Sequence, residues 1–160
     1  MDVKTKKGQQ ACRDEEAMVE IWQQANPGWR YVHTNKDDPS KLDAVLVSKG
    51  VVQALAEQKS RYKCSLDFFR KQWQNEWLIT FEKIDKLRNC CAMFGVPLVG
   101  FLYLVESRDL LTVKLLDGNG DFLQPMRIEY SDTATTTNNK NQITRYNAYV
   151  NMKDARHFSA

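Results

Sequence analysis

Apolar residues recur at helical spacing in two segments of the chain. The first segment follows the i, i+3, i+4, i+7 pattern of an amphipathic helix that should end near the Asn-Pro-Gly segment at 26–28. Its apolar positions are Met18, Ile21, Trp22 and Ala25. A second helix is predicted from Thr80 to Phe94, with Gly95 at its end. Its apolar face would comprise Ile84, Leu87, Cys91 and Phe94.

Runs of β-branched, aromatic and other apolar residues predict strands in most of the remaining chain. The longest feature is a β-hairpin at 42–61 that turns at Ser48-Lys49-Gly50. Further strands are predicted at 29–34, 97–105 and 110–116, and two less clear ones within 122–130 and 143–152. The order helix, strands, helix, strands predicts a mixed α/β domain with a central mixed β-sheet and flanking helices.

Length and composition predict a single globular domain over residues 1–160. The chain is 42% hydrophobic and 27% charged, with seven glycines and four prolines, so it can bury a substantial core. Two segments should lie outside the compact part. These are a basic flexible arm at 1–10 and a Ser/Thr/Asn-rich mobile loop at 132–142.

Charge and cysteine usage limit the binding partners and the cellular compartment that we expect. A net charge of +3 permits an anionic partner without requiring one. No apolar run is long enough to span a membrane, and the N-terminal stretch lacks the apolar segment of a secretory signal, so we expect a cytoplasmic protein or, if viral, one inside the host cell. Because the four cysteines show no C-x-x-C spacing, we expect reduced thiols rather than a zinc site.

The hairpin carries charged residues within an apolar context. Glu57 and Lys59 alternate along one strand, so they share a face about 6–7 Å apart, while Gln58 points away. A turn near Lys49-Gly50 places Asp43 opposite Ala56 or Glu57, and a β-bulge or an offset of one residue would bring the two carboxylates together. An ordinary surface charge pair on a half-exposed strand is the alternative.

Two adjacent carboxylates repel each other unless a cation lies between them. Hard oxygen ligands suit Mg²⁺ or Mn²⁺. An amine such as Lys59 could then position a water and counter the charge that develops on a phosphate oxygen. Asp43, Glu57 and Lys59 therefore fit the chemistry of phosphodiester hydrolysis.

These residues and their surroundings resemble the PD-(D/E)XK nuclease superfamily, especially the archaeal-type Holliday junction resolvases and related phage enzymes. The pattern consists of an N-terminal helix with an acidic residue, an apolar-flanked Asp43 and a strand that ends in Glu57-x-Lys59. The following segment, "LITFEKIDKLRNCCAMFGVPLVGFLYLV", is similar to the next unit of the family, and together the similar regions cover 13–61 and 77–116.

The resemblance implies a restriction-endonuclease-like core and a Mg²⁺-dependent DNA endonuclease. Asp43 and Glu57, the carbonyl of Gln58 and Glu15 of the first helix would hold the metal, and Lys59 would position the attacking water. It further implies branched DNA as the substrate, a homodimer as the active form, and a role in DNA recombination or repair.

A local excess of positive charge near this site favours DNA contact. Residues 59–88 contain eight Lys or Arg against four Asp or Glu. The candidate DNA-binding residues are Arg61, Lys63, Lys83 and Lys86. Four aromatic residues lie among these charges and could stack on bases, although core packing is expected for most of them: Phe68, Phe69, Trp73 and Trp77. His33 and His157 are expected to be non-catalytic.

Two other functions are compatible with the same residues. One is a recombination or repair exonuclease of the same superfamily. The other is a DNA-binding domain without catalytic activity.

Overall fold

The computed structural model describes residues 5–34, 42–134 and 142–160. Within these ranges the chain forms three helices and nine strands. The helices are α1 (Lys6–Ala25), α2 (Leu66–Gln72) and α3 (Phe81–Phe94). The first strands are β1 (Trp29–His33), β2 (Ala44–Ser48), β3 (Val51–Arg61) and β4 (Glu76–Thr80). The others are β5 (Leu98–Leu104), β6 (Asp109–Leu116), β7 (Met126–Ala134), β8 (Gln142–Asn151) and β9 (Arg156–Ser159).

The strands form two sheets, and the larger one is mixed. Its order is β1-β2-β3-β5-β6-β9, with β3 and β5 parallel and the other pairs antiparallel. A smaller antiparallel sheet has the order β4-β8-β7. The prediction of a mixed α/β domain is confirmed.

The large sheet is covered on both faces. One apolar cluster joins Met18 and Trp22 of α1 to Ala54 and Ala56 of β3. The other cluster includes Leu55, whose side chain points to the opposite face, together with residues of α3 and the small sheet. Because alternate residues of a strand point to opposite faces, the central part of β3 is buried on both sides.

Helix α1 begins earlier than the sequence predicted. Thr5 is its N-cap, with its Oγ1 accepting a hydrogen bond of 3.0 Å from the amide of Gly8. Residues 6–10 are therefore helical and do not belong to an arm, whereas 1–4 lie outside the described residues. Burial of Met18, Ile21 and Trp22 is confirmed. Ala25 is exposed instead, because the apolar contact ends before the last turn.

Helix α3 matches its predicted bounds. Gly95 adopts a left-handed conformation with φ of 64°, and its amide donates to the carbonyl of Cys91, which ends the helix as expected. Ile84, Leu87 and Cys91 are buried. Phe94 is 63% exposed, so the apolar face ends at Cys91 and the prediction for Phe94 is wrong.

The predicted loop at 132–142 is too long. Strand β7 continues to Ala134 and β8 begins at Gln142, while 135–141 lie outside the described residues. Polar residues extend the pairing here, because the Thr144 hydroxyl donates a 2.6 Å hydrogen bond to Asp132 directly across the strands. Polar composition at this hairpin therefore does not mark a loop throughout.

Gly100 allows the small sheet to pack closely against β5. A Cβ at this position would lie 2.5 Å from a ring carbon of Trp77, which is itself buried. Gly100 is also the partner of Glu57 in the parallel register. The absence of a side chain at Gly100 thus lets the indole ring of Trp77 pack directly against the backbone of β5.

Candidate functional site

A β-bulge, which the sequence allowed without requiring, is present and places Asp43 and Glu57 on the same side of the hairpin. Val47 pairs with Val52, but Ala44 pairs with Ala56, because the register shifts by one residue between Leu46 and Val47. Continued by one residue, the second register sets Asp43 opposite Glu57. Without the bulge, Asp43 would face Ala56, and the two carboxylates would point to opposite faces.

Lys83 connects the two carboxylates. Its Nζ lies 2.5 Å from Oε1 of Glu57 and 3.3 and 3.5 Å from Oδ1 and Oδ2 of Asp43. Lys83 is the third residue of α3, so the start of this helix directs its side chain to the end of the hairpin. The sequence predicted Lys83 as a DNA contact, but not this position between the acids.

Asp43 is held in place by the neighbouring strand. Its Oδ2 accepts a 2.9 Å hydrogen bond from the backbone amide of Gln58. The Gln58 side chain is directed away from this pair, as the strand alternation predicts, and its Oε1 is buried without a hydrogen-bond partner among the described residues. The carboxylate of Asp43 is therefore oriented before any ligand binds.

Glu57 is the most electrostatically perturbed acid of the site. It is 3% exposed, and its Oε2 is buried with no hydrogen-bond partner among the described residues. Burial and the nearby charge of Asp43 raise the pKa of Glu57 to about 8, although Lys83 acts in the opposite direction. A single ammonium does not compensate both acids, so the site favours additional positive charge or a proton.

The two lysines of the site differ in their electrostatics. Burial of the Lys59 ammonium lowers the pKa of Lys59, and the charges of Arg61 and Lys83 lower it further. The residue as a whole is nevertheless exposed to solvent. For Lys83 burial also acts downward, but Glu57 and Asp43 outweigh it and raise its pKa. Lys83 therefore keeps its proton and its charge, whereas Lys59 is the better candidate for proton transfer.

Glu15 approaches the area from α1. It is 2% exposed, and its Oε1 lies 3.0 Å from Nδ1 of His33. Burial first, and then the charges of Glu15, Asp43 and Glu57, raise the pKa of Tyr31. The Tyr31 hydroxyl is buried and has no hydrogen-bond partner among the described residues.

Sequence reasoning missed the pairing of His33 and the proximity of Tyr31. Glu15 lies one helical turn before Met18 and thus on the buried face of α1, while Tyr31 and His33 share one face of β1. This combination of periodicities could have indicated a contact between α1 and the edge strand. His157 likewise has an acidic partner, since its Nε2 lies 2.6 Å from Asp109.

The candidate DNA-binding residues fall into different environments. Arg61 donates a 2.8 Å hydrogen bond to the carbonyl of Leu78, and burial lowers its pKa, so it links β3 to β4 rather than pointing freely outward. Lys63 and Lys86 are exposed.

Of the four aromatic residues that could stack on bases, two are buried and two remain at the surface. Phe69 and Trp77 are buried, whereas Phe68 and Trp73 are 42% and 39% exposed and pack edge to face.

A divalent cation fits the acidic pair. Within the described parts of the chain, no group of three or more His, Cys, Asp or Glu side chains is arranged as a metal site. Mg²⁺, however, is commonly held by only one or two carboxylates together with water and substrate phosphates. Two converging carboxylates, one with a buried oxygen that has no partner among the described residues, meet that requirement.

Comparison with known proteins found no match of this chain to a protein-family model, to a curated protein or to a solved structure.

Among the described residues, no helix has both the length and the hydropathy needed to cross a membrane.

Proposed function

We propose that this chain is a metal-dependent DNA endonuclease that hydrolyses phosphodiester bonds and prefers branched DNA. The observation that carries the proposal is the convergence of Asp43 and Glu57 on one cation position, with Lys59 two residues further along the same strand. The mixed sheet and its bulged hairpin are also compatible with a restriction-endonuclease-like core.

In this proposal Asp43 and Glu57 would hold Mg²⁺ or Mn²⁺, with the carbonyl of Gln58 and with Glu15 as further oxygen donors. When bound, the metal would supply charge stabilisation for the scissile phosphate. The Gln58 amide keeps Asp43 oriented toward the cation position. Because burial of the Glu57 carboxylate makes its ionised form unfavourable, a cation would be a strong compensation.

Lys59 is the residue that we assign to the reacting water. Its lowered pKa makes the Lys59 ammonium lose its proton more readily than an ordinary surface lysine does, and the residue is exposed to solvent. It would position the water for in-line attack on phosphorus and, as a neutral amine, accept the proton that the water loses as the new P–O bond forms. The bond from phosphorus to the leaving oxygen would break on the opposite side, and that oxygen would take a proton from solvent.

DNA would be held by exposed basic and aromatic residues between the end of β3 and the first turns of α3. Lys63, Arg70 and Lys86 are exposed, and Phe68 with Trp73 forms an exposed aromatic pair. Phosphates would meet the cations, and unpaired bases at a branch would stack on the rings. A homodimer would cut two strands symmetrically, and the cytoplasm or the interior of a host cell is where the protein would meet DNA.

A DNA-binding domain without catalytic activity is the second candidate. The observation that favours it is the Lys83 ion pair, because an ammonium already lies between the acids. An exonuclease of the same superfamily would share the catalytic residues and differ only in its substrate.

The test is a cleavage assay on a four-way junction, a flap, a linear duplex and a single strand, with Mg²⁺ or with EDTA. We expect cutting of the junction only with metal, and a loss of at least about hundredfold in Asp43→Asn, Glu57→Gln and Lys59→Met. Asp154→Asn, which changes an exposed acid in the turn before β9, is the control and should retain activity. Cutting in EDTA, or equal cutting by the variants, would refute the proposal.

A further inference from the structure

The Lys83 ammonium lies where a divalent cation bound by both acids would have to lie. It contacts Oε1 of Glu57 at 2.5 Å and both carboxylate oxygens of Asp43 at 3.3 and 3.5 Å. These are the oxygens that the proposed function assigns to the metal. A lysine in this position neutralises part of the acidic pair when no metal is present.

We propose that Lys83 is an internal counter-ion that competes with the divalent cation for Asp43 and Glu57, so that metal binds only as Lys83 leaves. This inference rests on the proposed function, because it concerns the same acidic pair. It assigns Lys83 a role in setting metal affinity, which differs from the direct DNA contact that the sequence suggested.

Competition follows from the geometry. A monovalent and a divalent cation cannot share the same oxygens at contact distance without strong repulsion. The Lys83 side chain is 36% exposed, whereas that of Glu57 is 4% exposed, so the lysine has access to solvent and the acid does not. Its four-carbon stem can therefore carry the ammonium outward while the acids stay in place.

The position of Lys83 on α3 makes this movement local. It is the third helical residue, and Ile84 and Leu87, which anchor the helix, point into the core. Lys86 lies one turn later on the same helix and is exposed. A rotation of the Lys83 side chain alone would thus free the pair without displacing α3.

The experiment is calorimetric titration of Mg²⁺, and separately of Mn²⁺, into metal-free protein at neutral pH without DNA. We expect Lys83→Met to bind either metal at least about tenfold more tightly than the wild type, because the competing charge is gone. Lys83→Arg keeps the charge and should remain close to the wild type. Lys153→Met removes the same charge from the exposed turn before β9 and should change affinity by less than about twofold.

Unchanged or weaker metal binding by Lys83→Met would overturn the inference, as would the absence of binding in every variant. Circular dichroism would show whether Lys83→Met is folded without metal. If it is not, Lys83→Gln, which retains a hydrogen-bond donor to Glu57, would take its place and should also bind metal more tightly.

The outcomes separate this inference from the proposed function. Tighter binding by Lys83→Met without DNA cleavage by any variant would support the counter-ion and refute the nuclease. Metal-dependent cleavage by the wild type, with no gain of affinity in Lys83→Met, would support the nuclease and refute the counter-ion.

Discussion

Replacing Glu57 with Gln should stabilise the metal-free protein, and the gain should grow with pH. The reason is the environment of the acid, which is 3% exposed and lies beside Asp43. Glutamine has nearly the same shape but no charge to desolvate. Lys83 keeps Asp43 as a partner in this variant.

The magnitude follows from the pKa of Glu57, which is raised from 4.5 to about 8. A group whose pKa is raised by folding stabilises the protein fully below its unfolded pKa and loses that stability as pH rises through the folded pKa. Between pH values well below 4.5 and well above 8, the wild type should lose about 5 kcal/mol of its free energy of unfolding. About 4 kcal/mol of this loss should fall between about pH 5 and pH 8.5. The interaction with Lys83 is already part of this pKa, because the ammonium favours the ionised carboxylate and limits the rise.

Urea denaturation in EDTA at about pH 5 and pH 8.5 would measure the effect. The free energy of unfolding of Glu57→Gln minus that of the wild type should rise by several kcal/mol between the two pH values. Glu106→Gln, at an exposed turn, should show no such rise. A difference that stays constant with pH would refute the idea that Glu57 is held in an environment that disfavours its charge.

Three further predictions concern the surroundings of the site. Gly100→Ala should reduce the free energy of unfolding by about 1–3 kcal/mol in thermal or chemical denaturation, because the new methyl group would collide with Trp77. Arg61→Met should lower stability by about 1–3 kcal/mol through loss of its hydrogen bond to Leu78, and an effect on DNA affinity alone would contradict this role. Trp73→Ala should weaken single-stranded DNA binding by about 1–3 kcal/mol in fluorescence anisotropy, and unchanged affinity would exclude stacking on this ring.

The acidic pair could be predicted from sequence because it depends on local rules. The turn at Lys49-Gly50 sets the hairpin register, and strand alternation separates Gln58 from Glu57. The sequence alone leaves Asp43 opposite either Ala56 or Glu57, and the structure supplies the bulge that sets it opposite Glu57. The structure confirms that Asp43 and Glu57 lie on the same side of the hairpin. Metal-dependent cleavage by this pair stays a prediction.

The small sheet and the role of Lys83 could not be predicted in the same way. Strand β4 lies in a polar and aromatic segment and becomes a strand through pairing with β8, about seventy residues later in the chain. In the sequence, Lys83 has the position of an ordinary solvent-exposed lysine in the first turn of a helix. Only the packing of α3 directs its side chain to Asp43 and Glu57. The local spacing of hydrophobic residues does not predict which distant segments of the chain will contact each other.

The central claim, that Asp43 and Glu57 form a cation site, is tested most directly by a crystal structure grown with Mn²⁺ and its anomalous difference map. The account predicts a peak about 2.0–2.3 Å from an oxygen of each acid, with the Lys83 ammonium moved away. A map with no peak at this position, and with Lys83 still between the two carboxylates, would contradict it.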